Sequence, residues 1–462
     1  MKKRIVSLAA AAILSTTALA ACGSSDDTDG NTAGGGTEAT DSADGDAAGG
    51  GEADVNEDGT VNNPEAVEVD PNKLVFWSLF SGGDGGFMDQ IIEDYNGTSP
   101  SQQVQSVMLV WADYYTKLTT AVATGNGPDI GVSHISKLPE LVEKGVVIAI
   151  DDYADAAGTN WADYPDNSLE GVTFDGSKYA IPLDTHAEIA YANLDYFADA
   201  GIELDANGQL PVSNADDFAE ILGKLKDVVG DGGTALSLPQ TGDDPYRTWW
   251  ATYFQLGGTP IISDDGTEVT LDKTTAAEAA DYVKSLYDDG YVQPGITDHQ
   301  KLFQDGSAGM MFGGTWANGA FEATEGLNFQ PMLFPSLFGD NQAAWADSHV
   351  LIIPTNDDRT EEETQAAVDF INWVASEGGL TWAASGQIPS SSTVTSDPAF
   401  LELPNRDFYL EAKELAVLPA QSASFYGLKD AMIRNLDTIW NEQTDSTSAI
   451  DNMVDEMGSE LG

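Results

Sequence analysis

From Lys73 onward the chain alternates two apolar patterns. Lys73 to Trp77 is a short apolar run of the kind that fills a buried strand, and Gln103 to Val110, Pro128 to Val132, Ala187 to Asn193 and Ala308 to Phe312 also read as strands. Between them lie stretches with apolar residues three or four apart, which predict helices over Phe87 to Tyr95, Ala112 to Thr124, Lys137 to Lys144, Ala215 to Val229 and Ala276 to Tyr287. Ala366 to Ala375 and Leu428 to Trp440 carry the same spacing. Strands alternating with helices predict parallel βαβ units. A body of about 390 residues exceeds what one core normally serves, so it should divide into two lobes.

The first 72 residues read differently. Lys2, Lys3 and Arg4 precede an apolar run from Ile5 to Leu14, the order of an export signal, and that run is too short to span a bilayer comfortably. The export segment ends at Leu19-Ala20-Ala21-Cys22, which is similar to a bacterial lipobox; residues 1–21 are then a signal peptide and Cys22 the lipidated first residue of the mature chain. Residues 22–72 are Gly, Ala, Asp, Ser and Thr with few large apolar side chains, the composition of a tether. Within it, Asp54 to Glu65 matches the spacing of a calcium loop, although no helix precedes it and Pro64 sits near its end.

Cys22 is the only cysteine, so the body holds no disulfide, no cysteine-based zinc site and no cysteine nucleophile. A formal charge of −57 makes nucleic acid and anionic membrane surfaces poor partners for the body, and it suits a salt-rich habitat or simply an acidic extracellular protein. No Gly-x-Ser-x-Gly, His-Glu-x-x-His or phosphate-loop motif is present, which counts against catalysis.

Six short motifs recur in a familiar order: Phe76-Trp77-Ser78 with its glycine turn, Gly127 to Ile130, Tyr179 to Asp184, Pro245 to Trp249 with Gly257-Gly258, Gly313 to Trp316, and Gly386 to Pro389. Behind a lipobox and tether, this order resembles the extracellular solute-binding protein family 1, the maltose-binding-like receptors of ABC importers. The resemblance implies an α/β fold of two lobes, periplasmic-binding-protein-like (type II), joined by a hinge of crossing segments near Pro182 to Ile189, His349 to Pro354 and Ile388 to Val394. One lobe would comprise 73–184 plus 350–390, the other 185–349 plus 391–462. It also implies an extracytoplasmic, lipid-anchored monomer whose partners are a small ligand and membrane permease subunits, with no cofactor and no resident metal.

A sugar needs aromatic rings for its C–H faces and donors and acceptors for its hydroxyls. By resemblance, Asp184 would accept sugar hydroxyls, with His186 on the same face of its strand. Tyr246 and Trp249 would floor the cleft from one side of a helix, Trp250 turning to the core, and Trp316 would stack on the ligand. Loops Ser81 to Asp84 and Ser133 to Ser136, with His134, would frame the cleft from the first lobe; Trp345, Asp347 and Tyr426 complete the candidates. Ser133, Ser136 and Lys137 depart from the maltose-binding pattern, which argues against a maltose-like ligand. No arginine cluster suits a phosphate, Arg247 being the one to watch, so a neutral mono- or oligosaccharide is expected. A polyamine, sugar-phosphate or metal receptor, or a ligand sensor, would use the same fold; a glycosidase would need paired carboxylates, which a chain so acidic supplies without meaning.

Overall fold

A computed structural model describes residues 53–56, 59–230, 232–263, 265–339 and 341–462. The signal segment, Cys22 and Asp58 of the calcium-like run lie outside the described residues. The folded chain begins upstream of the predicted start at Lys73: Val61 is 6% exposed and its N–H donates to the Met108 carbonyl (2.7 Å). In the calcium-like run, the Asn62 amide donates to Asp54 Oδ2 and Asn56 Oδ1, both at 3.2 Å, so these side chains are tied to one another.

The strands that position the site are β1 (Lys73–Ser78), β2 (Gln103–Met108), β3 (Ile130–His134), β4 (Ala180–Pro182), β5 (Asp184–Asn193), β6 (Thr234–Ser237), β7 (Ala308–Gly314), β8 (Phe329–Met332), β9 (Ala344–Asp347), β10 (His349–Ile352), β11 (Ile388–Pro389) and β12 (Ala416–Val417). One sheet runs β2-β1-β3-β10-β4, with β1 parallel to β2 and β3 and β10 antiparallel to β3 and β4. The other runs β12-β9-β5-β7-β6, with β8 and β11 also paired to β5. The helical stretches fall where the spacing predicts them: Gly85–Gly97, Trp111–Ala123, Ala215–Val228, Lys273–Asp288, Glu361–Ala375 and Phe425–Trp440.

Each sheet has its own core. Phe76, Ile130, Val132, Leu351 and Phe370 pack in the first lobe; in the second, Trp249, Trp250, Val283, Met432 and Ile450 pack together beside a separate cluster around Phe312. The chain passes between sheets at single residues, Leu183 between β4 and β5 and Ser348 between β9 and β10. These crossings are laced together: the Leu183 N–H donates to the His349 carbonyl (2.9 Å) and the Ser390 N–H to the Leu183 carbonyl (3.0 Å). The fold is thus mixed α/β and two-lobed, with its crossing segments side by side.

Candidate functional site

A cavity of about 290 Å³ lies where the carboxyl ends of β1, β2 and β3 meet the crossings and the second lobe. Ligands of open α/β sheets characteristically occupy such strand ends. After β1, the chain turns through Leu79 to Asp84, and Phe80, exposed Ser81 and buried Asp84 line the space. Trp111 enters at the start of the helix after β2 and His134 at the end of β3. The crossings bring His186 and His349, while the second lobe contributes Asp243, Asp244 and Arg247 from one helix start, together with His299 and Trp316.

Glycines fix the position of Trp316. A Cβ on Gly314 would collide with the indole, so only glycine lets that ring fold back over the end of β7. From the other lobe, a Cβ on Gly82 would stand 2.8 Å from Trp316 Cδ1, and the Gln300 amide donates to the Gly82 carbonyl (2.6 Å). The loop after β1 therefore reaches across to the second lobe. Arg247 lies between two indoles, 4.9 Å from the Trp316 centroid and 4.5 Å from that of Trp345, and its guanidinium donates to Asp244 (2.9 Å).

Sheet register assembles the histidines. His134 of β3 is paired with His349 of β10, and His186 of β5 with Asp347 of β9. Ring centroids stand 5.0 Å apart for His134 and His349, 5.4 Å for His134 and His186, and 4.1 Å for His186 and His349. Behind them lies Asp184, 0% exposed, which accepts from Trp382 Nε1 (2.7 Å), from the His349 N–H (3.0 Å) and from Nδ1 of both His349 (2.9 Å) and His186 (3.2 Å). Burial alone would push this carboxyl up, but the His349 charge and the histidine hydrogen bonds hold it below the usual carboxylate range. Burial pulls His186 down to about 4, helped by the His349 charge, and pulls His134 well below its ordinary value. For His349 burial is the largest influence and pulls it down, but the charge and hydrogen bond of Asp184, joined by the charges of Asp84 and Asp347, together raise it.

Asp84 is the cavity's loosely held acid. Its Oδ2 accepts from Gln387 (3.1 Å), its Oδ1 has no partner among the described residues, and burial pushes it up to about 6 against the opposing charge of His349. Glu188, fully buried behind Arg247, is pushed well above the carboxylate range by burial although Arg247 opposes it.

Of the residues singled out in the sequence, Trp316, His186, Ser81, Asp84 and His134 line this cavity. Four others have different surroundings from those expected. Trp249 is 0% exposed, stacked between Tyr246 and Tyr253, and its indole N–H donates to the Ala276 carbonyl (3.0 Å); Tyr246 is 1% exposed beside it. Their shared helical side, correctly read, faces the helix Lys273–Asp288 because two large rings are cheaper to bury than to wet; Trp250 is core, as expected. Asp184 lies behind the cavity wall, since hydrogen bonds from its neighbours leave it nothing to offer a ligand. Asp347 is likewise occupied, by the Ser136 hydroxyl and the Ser348 N–H (2.8 Å).

Trp345 backs Arg247 and, with Asp347, lines a much smaller adjoining cavity. Tyr426 touches that one too, its ring packing on Tyr115 and under Lys137 (4.3 Å). Phe80, Trp111, Asp243, Asp244 and His299 also line the main cavity and carry no motif in the sequence, while His349, at a crossing, and Arg247, beside the expected aromatic floor, join them. A signal was available: the chain holds only four histidines, and all four line this space.

A two-lobed fold with an aromatic and polar cavity at its crossings defines a binding protein. The chain belongs to the bacterial extracellular solute-binding protein family, whose model matches residues 90–406. It is 25% identical over 383 residues to a binding protein of Brucella abortus, covering 80% of this chain and 84% of that one. An arabinooligosaccharide-binding protein of Halalkalibacterium halodurans is 22% identical over 360 residues, 73% of this chain and 75% of that one. Among solved structures, the GacH receptor of Streptomyces glaucescens, determined unliganded and with acarbose, superposes with a TM-score of 0.74 at 17% identity, covering 84% of this chain and 98% of that one. These are families and neighbours of binding proteins. No helix among the described residues is long and apolar enough to cross a membrane.

Proposed function

We propose that this chain is the substrate-binding component of an ABC-type importer, held outside the cytoplasmic membrane by lipid on Cys22, and that it closes its lobes over a neutral mono- or oligosaccharide without catalysing a reaction on it. The relatives' ligands support the class. The observation that carries it is the make-up of the cavity: Trp316, Trp111 and Phe80 offer ring surface, while Ser81, Asp84, Asp244, Arg247 and the histidines offer donors and acceptors around it. Trp316 stacks on the sugar in this reading.

Charge supports a neutral ligand. Arg247 is neutralised by Asp244, and Asp243 by Lys429 (2.6 Å), so the cavity has neither a free arginine clamp for phosphate nor an excess of unpaired carboxylates for a polyamine. The lobes are taken as 73–184 plus 350–390 and 185–349 plus 391–462, rotating about the laced crossings. Tryptophan fluorescence and melting temperature across a panel of neutral sugars, sugar phosphates and polyamines test the assignment. A saturable response to a neutral sugar is expected; response only to a phosphate or an amine would overturn it.

A further inference from the structure

The same cavity wall presents a feature that saccharide binding does not require. One ring nitrogen from each of His134, His186 and His349 lies within 4.8 Å of those of the other two. All three rings are buried, at 5%, 2% and 4% exposure, and each comes from a strand whose neighbours fix its place. In each, Nδ1 is already engaged: by Tyr115 Oη (2.6 Å) in His134, and by Asp184 in His186 (3.2 Å) and His349 (2.9 Å). That leaves three Nε2 atoms, none with a hydrogen-bond partner among the described residues, on rings that line the cavity.

A histidine serving only to pack would use both nitrogens or sit apart from its like. Three imidazoles gathered with one nitrogen each uncommitted, two of them oriented by a shared buried carboxylate, form the arrangement in which a carboxylate behind a ligating histidine fixes its tautomer and raises its basicity. We propose that the Nε2 atoms of His134, His186 and His349 bind one divalent transition-metal ion, with Asp184 and Tyr115 as positioning residues. Nitrogen ligands select Zn²⁺, Co²⁺, Ni²⁺ or Cu²⁺ over Mg²⁺ and Ca²⁺, which prefer oxygen. Three protein ligands leave at least one coordination position open toward the cavity, where an oxygen of the bound solute can complete the shell. The site does not depend on the saccharide reading, because the histidines bind the ion with or without a sugar.

The test uses the full-length chain, stripped with a chelator and desalted, in high salt with excess Mg²⁺ to occupy the acidic surface. Titration with Co²⁺ should give visible ligand-field bands that saturate at one equivalent and are displaced by Zn²⁺. Zn²⁺, and not added Ca²⁺, should raise the melting temperature. His186→Gln and His349→Gln should abolish the bands, and Asp184→Asn should weaken Co²⁺ binding about 10–100-fold while keeping all three ligands.

Should those variants fail to fold, diethyl pyrocarbonate labelling of the unaltered chain decides the matter, with Zn²⁺ protecting three of the four histidines. Absence of bands, bands that persist in the histidine variants, or labelling indifferent to Zn²⁺ would each overturn the site. A neutral sugar that still binds the stripped chain would then leave the saccharide reading intact; bands without response to any sugar would do the reverse.

Discussion

Trp249 and Trp250 are as inaccessible as His134, His186 and His349, at 0–1% against 2–5% exposure, but the two groups are buried for different reasons. Both indole N–H groups find backbone acceptors, on Ala276 and Val417, and the rings then pack against their own kind in the second lobe's core. Among the described residues each histidine ring has a hydrogen-bond partner only at Nδ1, and each ring lines the cavity. A large side chain with every polar atom paired is packing; three buried imidazoles that line a cavity with one nitrogen each unspent are positioned for something outside the protein. Arg247, on the same helix as the tryptophans, marks the boundary, because only the first turn of Asp243–Gln255 reaches the cavity.

The largest effect that would break this contrast is in the tryptophan group. Trp249→Ala should destabilise the protein by about 3–5 kcal/mol, read from urea unfolding, and leave ligand affinity of the folded fraction unchanged. Loss of affinity with little loss of stability would return Trp249 to the site. Next comes Asp184→Asn, which strips two imidazoles and an indole of a buried charge and should cost about 3 kcal/mol at pH 7. Since Asp184 is held below its unfolded value, its contribution is present above that value and lost as pH falls through the folded one, so the two proteins should converge in acid. A gap that instead widened in acid would show Asp184 to be uncharged. Trp316→Ala should do the opposite of Trp249→Ala, removing about 2 kcal/mol of ligand binding, roughly 30-fold, with a change in stability below about 1 kcal/mol.

The elements were legible because their apolar periods are regular; β3 and the helix Trp111–Ala123 lie within two residues of the expected bounds. The final helix, Ser446–Leu461, is not predicted by the spacing although Ala449, Ile450, Met453 and Met457 form a buried stripe; its many acids and small residues mask that stripe. The site was legible where backbone chemistry left a trace: the glycines beside Trp316 and after β1 are there because side chains would collide. It was not legible where long-range register decides. His134, His186 and His349 are brought together only by strand pairings β3–β10 and β5–β9, and nothing within reach of each in the chain foretells the others. The direction a ring faces was equally hidden, since i, i+3 spacing put Tyr246 and Trp249 on one side of the helix without saying whether that side meets the core or the cavity.

The smallest predicted effect distinguishes two aspartates on the same wall. Asp84 and Asp184 are both buried, yet Asp184 is held low by the charge and hydrogen bonds around it, whereas burial raises Asp84 to about 6 with only Gln387 bonded to it. A carboxyl raised in the folded state stabilises the protein fully below its unfolded value, and that contribution is lost as pH climbs through about 6. Wild-type stability should therefore carry a component that declines between about pH 4 and 6, and Asp84→Asn, uncharged throughout, should lack it. The variant should match the wild type near pH 4 and exceed it by about 1–2 kcal/mol at pH 7.5, measured as urea midpoints across that range. A variant less stable at pH 7.5 would mean that the ionised Asp84 is stabilised by the cationic His349 more than burial penalises it, and the two aspartates would then be alike.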